Sequence, residues 1–285
     1  MLYALFRIGR RLAMFLSPRA GYNVATAVGD IFYCFAKEDR KNLWHNLKIA
    51  TGISDRRLLR KYTKNIFRNF AKCLVDFFRF EKMDSNYMRT HISVAGKENL
   101  DRALAKGKGV IALSAHLGNW EMGAAAVTNL GYAFCQIALE HGDKRIDDFF
   151  ARQRAFPGIK AIAPGSAQLK NCFKILKKNG ILAIASDRDL TNNGISVNFC
   201  GRDAIMPKGA AAFSLKTGAP IVPTFLVRRG SGPNYDLIFD KPIEGKATGD
   251  KDADIRSIMK NCLSTLEAYV KRFPDQWCVF QKIWE

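Results

Sequence analysis

The sequence predicts an α/β fold: a central, mostly parallel sheet flanked by helices, with an N-terminal helical segment that associates with a membrane surface. Three observations carry this expectation. After residue 90, short continuous apolar runs alternate with helix-length stretches, the pattern of strands buried on both faces. Ahead of them, the clearest periodicity is helical and strongly basic. No Pro/Gly/Ser-rich linker divides the two regions. Residues 1–90, a basic helical segment, and 91–285, an α/β body, are therefore expected to form one compact unit.

The elements follow in order. Residues 1–16, MLYALFRIGRRLAMFL, set bulky apolar residues beside arginines until Pro18 ends the run. Such a helix lies in a membrane interface or packs on its own domain. Residues 54–80 read as an amphipathic helix capped by Ser54 or Asp55. Leu59, Ile66, Phe67, Phe70 and Phe77 share its apolar side; Arg57, Arg60, Lys61, Lys64, Arg68 and Lys72 lie opposite. That basic side is either solvated or turned toward anionic headgroups or an acidic carrier protein. The expected strands are 109–115, 132–138, 159–163, 181–186, 220–227 and 235–239. The expected helices are 97–106, 119–129, 144–155, 166–178, 208–217 and 252–272.

Charge narrows the partners. The formal net charge is +19, and residues 1–80 hold 16 Lys/Arg against 5 Asp/Glu. Basic chains meet nucleic acid, membrane surfaces, or phosphorylated or acidic substrates. The basic helix offers no evident base-stacking platform and no RNA-binding signature, so nucleic acid is the weakest of these. Seven scattered cysteines without a CxxC pair fit free thiols in a reducing compartment. Arginines at 7, 10 and 11 interrupt any signal-peptide core. The longest uncharged run, 122–139, contains Asn129 and Gly131; it reads as a helix followed by a strand, not a membrane span.

Chemistry concentrates in SAHLGNWEMG, residues 114–123. His116 follows a buried strand, at the edge where open α/β sheets bind ligands. Gly118 makes the turn, Asn119 caps a helix and Glu121 lies in its first turn. On one continuous helix, positions five apart point roughly 140° away from each other. A strand–turn–helix corner removes that objection and lets Glu121 reach back to orient the imidazole as a base. Free N–H groups at the helix start, near Gly118–Trp120, would serve a developing oxyanion. The plain alternative is a core histidine and a glutamate that complements the helix dipole. In SDRDLTNNG, residues 186–194, Asp187 and Asp189 follow another strand. They could bind a divalent metal as in a glycosyltransferase, position arginines or acceptor, or belong to a polar turn. Arg152 and Arg154 close a helix before Pro157-Gly158, as dipole complements or as an anion fork. GxSxG, Walker A, GxGxxG and HExxH motifs do not occur.

Taken together, HLGNWE, Arg154 with Gly158 beyond it, DRD after a strand, VNFCGRDAIMPKG and KTGAPIVP, in that order, resemble the lysophospholipid acyltransferase-like superfamily. The tail FPDQWCVFQKIW resembles the C-terminus of its lipid A biosynthesis branch, the late lauroyl/myristoyl acyltransferases. The resemblance runs over the whole chain and is firmest from 109 to 227. It implies His116 as catalytic base with Glu121 as its carboxylate partner. It also implies substrate contacts from Asn119, Trp120, Arg154, Asp187, Asp189 and Gly201, with Pro223 in a late block. It further implies an acyl thioester donor on acyl carrier protein or coenzyme A, an anionic lipid or glycolipid acceptor, no metal or other cofactor, and work at the cytoplasmic face of the bacterial inner membrane. The chain departs from the pattern where Arg188 stands in place of the glutamine of DQD. It departs again where Asn198, Cys200, Asp203 and Met206 interrupt VPFFGxPAxT. A metal-dependent glycosyltransferase and a non-enzymatic basic binder of membrane or RNA are the competing readings.

Overall fold

Four helices come first: α1 (Leu2–Phe15), α2 (Pro18–Phe35), α3 (Lys37–Thr51) and α4 (Arg56–Phe78). The body then runs α5 (Ser85–His91), β1 (Ile92–Ala95), α6 (Lys97–Leu104), β2 (Val110–Ser114), α7 (Trp120–Asn129), β3 (Phe134–Ile137), α8 (Lys144–Ala155) and β4 (Lys160–Ile162). It continues with α9 (Leu169–Lys177), β5 (Ile181–Ala185), β6 (Ile195–Phe199), β7 (Arg202–Met206), α10 (Gly209–Thr217), β8 (Ile221–Arg229), β9 (Asn234–Phe239) and α11 (Lys251–Arg272). This computed structural model describes residues 2–163, 169–189, 192–245 and 248–285. The first residues of the helix expected over 166–178 lie outside them.

The central sheet has the order β1-β9-β8-β2-β5-β3-β4. Neighbours pair parallel except β8 and β9, so the expected mostly parallel sheet is present. Both of its faces are covered, which is why its strands read as unbroken apolar runs. On β2, Ile111 and Leu113 enter one core with α10, α11 and the C-terminal tryptophans. Val110 and Ala112 enter the other, with α7 and the end of α4. The two faces alternate with the strand period of two.

Helices α2, α3 and α5, strand β1 and the β6–β7 hairpin were not among the expected elements. Helix α2 is rich in small residues. Their purpose is close approach: a Cβ on Gly29 would lie 3.0 Å from the backbone of Phe67 and Arg68, so α2 lies tight on α4. Strands β6 and β7 form a separate antiparallel hairpin. Its turn places Cys200 and Gly201 at positive φ, 54° and 79°, the conformation that two-residue hairpin turns demand.

Helix α1 is tied down at its C-terminal end. Arg79 donates to the carbonyls of Ala13 and Leu16, and Lys82 to that of Met14, cations where the helix dipole favours them. Its outer face stays bare: Leu2, Leu5, Ile8, Leu12 and Phe15 are exposed, Phe15 by 90%. Helix α2 extends that surface with Val24, Val28, Ile31, Phe32 and Phe35. Among the described residues, no helix is long and apolar enough to cross a membrane.

A buried polar knot joins the helices to the sheet. The Asp76 carboxylate on α4 accepts from Tyr22 Oη at 2.6 Å, Asn119 Nδ2 at 2.9 Å and Tyr235 Oη. Arg228 pairs with it at 3.3 Å, both side chains 2% exposed, and lies over the rings of Tyr22 and Tyr235. Removing one member of such a pair strands the other charge. Asp76→Ala is therefore expected to cost about 3–5 kcal/mol in urea unfolding; a loss under about 1 kcal/mol, the scale of a surface pair, would show that the knot does not hold these elements together.

Candidate active site

Register alone brings the site together. Ser114 on β2 stands opposite Ala185 on β5, and the Ser186 N–H donates to the Ser114 carbonyl at 2.9 Å. Two residues further along each strand, His116 and Asp187 emerge side by side at the C-terminal edge of the sheet. His116 Nδ1 lies 2.8 Å from Asp187 Oδ1, and the His116 backbone N–H donates to Oδ2 at 2.8 Å. The Trp277 indole N–H donates to Oδ2 at 3.0 Å. Asp187 is 0% exposed. Burial pushes its carboxyl up, but the His116 charge and the ring, backbone and indole hydrogen bonds outweigh burial and hold it below the ordinary carboxylate range.

Those partners assign the imidazole tautomer. An ionised carboxylate only accepts, so Nδ1 carries the proton. Arg188 Nη2 lies 3.2 Å from Nε2, and arginine only donates, so Nε2 presents its lone pair. Arg188 also donates to Gln281 Oε1 at 3.2 Å, while its own Nε is buried without a partner among the described residues. The His116 side chain is 13% exposed. Its ring meets Trp120 edge-on at 5.1 Å, and Trp120 stacks over Phe70 at 6.5 Å.

The expected partnership of His116 with Glu121 is corrected: the carboxylate at His116 is Asp187. Trp120 takes the position next to the imidazole, and Glu121 is turned about 100° further round the helix. There it accepts from Arg154 Nη2 at 2.6 Å and Nε at 3.1 Å, and from Gln136 Nε2 at 3.2 Å. Arg154 is correspondingly not an open anion fork. It is 8% exposed, neutralised by Glu121 and packed over the Phe77 and Phe150 rings. The expectation that Asp187 and Asp189 hold that arginine also fails.

The remaining residues separate. Asn119 is 1% exposed; it caps α7 through Met122 N and joins the Asp76 knot, so it shapes the corner instead of meeting substrate. The Gly118 and Asn119 N–H groups donate to the carbonyls of Gln276 and Leu226 and are closed to an oxyanion. Asp189 Oδ2 accepts the Gly194 N–H at 2.7 Å. Gly201 forms the exposed hairpin turn, where Cys200 N donates to Glu267 of α11 at 2.5 Å. Asp187, with three donors on its two oxygens, has no open face for the metal a glycosyltransferase would require.

Trp277, Arg188 and Gln281 are site residues that motif reading did not assign. The tail signals them only weakly, as tryptophan and glutamine in an otherwise apolar ending. Its backbone runs along the His116 corner: Cys278 N donates to the His116 carbonyl at 2.7 Å, and Leu117 bridges Trp277.

Comparison with known proteins agrees with the motif order. The family model described as bacterial lipid A biosynthesis acyltransferase matches residues 2–285. A phosphatidylinositol mannoside acyltransferase of Mycobacterium tuberculosis (strain CDC 1551 / Oshkosh) is 25% identical over 73% of this chain and 66% of its own length. The match thus spans slightly less than two-thirds of that relative. A lipid A biosynthesis palmitoleoyltransferase of Escherichia coli (strain K12) is 22% identical over 89% of this chain and 81% of its own. The solved 1-acyl-sn-glycerophosphate (LPA) acyltransferase PlsC from Thermotoga maritima aligns with 90% of this chain and 98% of that one. Its identity is 12% and its TM-score 0.39, a likeness too loose to support any inference.

The Glu121–Arg154 pair predicts a structural phenotype. Glu121→Ala or Arg154→Ala should each lower stability by about 3–5 kcal/mol, whereas the double Glu121→Leu/Arg154→Met should lose less than either single change. Denaturant unfolding measures this. Unchanged stability in Glu121→Ala would return that carboxylate to a role in substrate handling.

Proposed function

The chain belongs to the bacterial lipid A biosynthesis acyltransferase family, and on that premise we propose that it moves a fatty acyl chain from an acyl thioester to a lipid hydroxyl. The donor in this reading is carried on acyl carrier protein or coenzyme A, and the acceptor is a lipid A precursor or related glycolipid. Relatives named for phosphatidylinositol mannoside and for lipid A support an acceptor of this class. The observation that carries the reading is the His116 imidazole, anchored at Nδ1 by buried Asp187 and presenting Nε2 as a base.

In the proposed mechanism the acceptor hydroxyl docks at Nε2 and gives its proton to His116. Its oxygen attacks the thioester carbonyl carbon. Asp187 stays ionised and stabilises the imidazolium, as in serine hydrolase triads. The C–S bond then breaks, and the Nε2 proton returns to the departing thiolate. No acyl-enzyme is needed, because the thioester is already activated. Arg188 must yield Nε2 to the incoming hydroxyl. Its guanidinium, released beside the reacting carbon, is placed to stabilise the oxyanion. The Trp120 N–H, at the start of α7, is a further donor.

The bare apolar faces of α1 and α2 support peripheral attachment to a membrane. Large exposed apolar patches mark interaction surfaces, and basic residues beside them suit anionic headgroups. In our reading this attachment is to the cytoplasmic face of the inner membrane, where the acceptor lipid is within reach.

Acyl transfer from a thioester donor to lipid, with lipid mass spectrometry of cells with and without the protein, tests the activity and names the acceptor. His116→Ala should abolish transfer, and activity near wild type would end the mechanism. Arg188→Ala should lower kcat by about 10²–10³, and Arg188→Gln by less, because glutamine also donates. Separately, Phe15→Asp/Phe35→Asp should keep the fold, since both positions are exposed, yet lose flotation with anionic vesicles; flotation equal to wild type would remove α1 and α2 as the membrane face.

A further inference from the structure

A polar cleft opens at the same edge of the sheet as the His116 site. It has a volume of about 770 Å³ and is walled by α2, α4, the loop joining β8 to β9, and the 275–276 segment. His116 does not line it. The two places share one piece of chain. Gln276 lines the cleft and binds the backbone N–H and carbonyl of Arg228, whereas the indole of Trp277 holds Asp187 on the other side.

The cleft is crowded with cations. Arg19, Arg68, Lys72 and Arg228 line it against one carboxylate, Asp275. Two of the cations are matched: Arg68 grips Asp30 through Nε and Nη2 at 2.6 and 2.7 Å, and Arg228 pairs with Asp76. Lys72 is not. It is 9% exposed and forms no ion pair among the described residues; its ammonium lies 5.8 Å from the centre of the Tyr22 ring and donates to one carbonyl, that of Ser231, at 3.4 Å. An ammonium has three donors, and a charge buried this far is ordinarily paired. Burial pushes its pKa down and the nearby Arg228 and Arg68 push it further, against the pull of Asp76. An anion entering the cleft would relieve both the repulsion and the missing hydrogen bonds. Beside Lys72, Gly230 and Gly232 line the wall with no side chain, and a Cβ on either would meet nothing within 4 Å. Neutral polar groups such as Asn23 and Thr26 complete the lining.

We propose that this cleft is a binding site for a phosphate group, with Lys72 as its principal contact and Arg19 at its exposed rim. The phosphate belongs either to a lipid headgroup or to a soluble phosphoester. Helix α2 favours the lipid, since its opposite face carries the bare apolar stripe, but the chemistry recognised is the same. The proposal is independent of the acyl-transfer reading and does not require it.

Calorimetric titration of the full-length chain at physiological ionic strength tests it, with glycerol 3-phosphate, glycerol, and dioctanoyl phosphatidic acid below its micelle concentration. The expected result is one saturable site for both phosphates and none for glycerol. Binding should weaken by about tenfold or more in Lys72→Met and in Arg19→Glu, the loss expected for one charge-assisted hydrogen bond. His116→Ala should bind as wild type does, which keeps this outcome separate from loss of catalysis. Tighter binding of the dioctanoyl lipid assigns the phosphate to a headgroup, and equal binding assigns it to a soluble phosphoester. If Lys72→Met fails to fold, Arg19→Glu decides, because that position is exposed. Absence of saturable phosphate binding, equal binding of glycerol, or wild-type affinity in a folded variant overturns the proposal.

Discussion

The site depends on one buried carboxylate. Asp187 receives a ring N–H and a backbone N–H from His116 and an indole N–H from Trp277. Three segments distant in sequence meet there: the end of β2, the end of β5 and the C-terminal tail. A carboxylate so enclosed persists as an anion only because each donor stays in place. The same contacts fix which imidazole nitrogen bears the proton. Orientation of the base and closure of the tail over the sheet edge are therefore one interaction. Arg188 completes the arrangement from outside by lying against Nε2, the nitrogen that takes the acceptor's proton in the proposed mechanism.

A second carboxylate, Asp76, plays the corresponding part for the N-terminal helices. It gathers Tyr22 of α2, Asn119 of the His116 corner, and Arg228 and Tyr235 of the sheet. Asn119 thus links the corner that carries His116 to the helices that carry the apolar stripes. The tail passes between the two centres: Gln276 is bonded to Arg228, and Trp277, the next residue, to Asp187. Gln276 closes a 3₁₀ turn and Trp277 starts the extended tail, so one short stretch braces both.

The fold was largely legible because its signals are local. Strands β2, β5 and β8 carry unbroken apolar runs, and α4, α8 and α11 carry helical periodicity or caps. Helix α2 packs tightly on α4 through Gly21, Ala25 and Gly29, so its contact side lacks most of the large apolar residues that mark α4. The β6–β7 hairpin escaped because Cys200 holds a turn position that Asn or Gly usually marks. The basic side of α4 misled in another way. Its positive charges are evident, but α2 and the β8–β9 loop close over the last of them, so Lys72 is buried while Arg57 and Arg60 stay in solvent.

The sequence by itself determined the central strands of the sheet, the basic helix α4 and the placement of His116 at a strand edge, because strand-edge placement and periodicity are written in neighbouring residues. Only the tertiary structure decided which carboxylate serves His116. Glu121 is five residues away and turned aside by the helix. Asp187 is 71 residues away and delivered by parallel register between β2 and β5. Pairing across a sheet depends on which strands become neighbours, and a short motif carries no information about that.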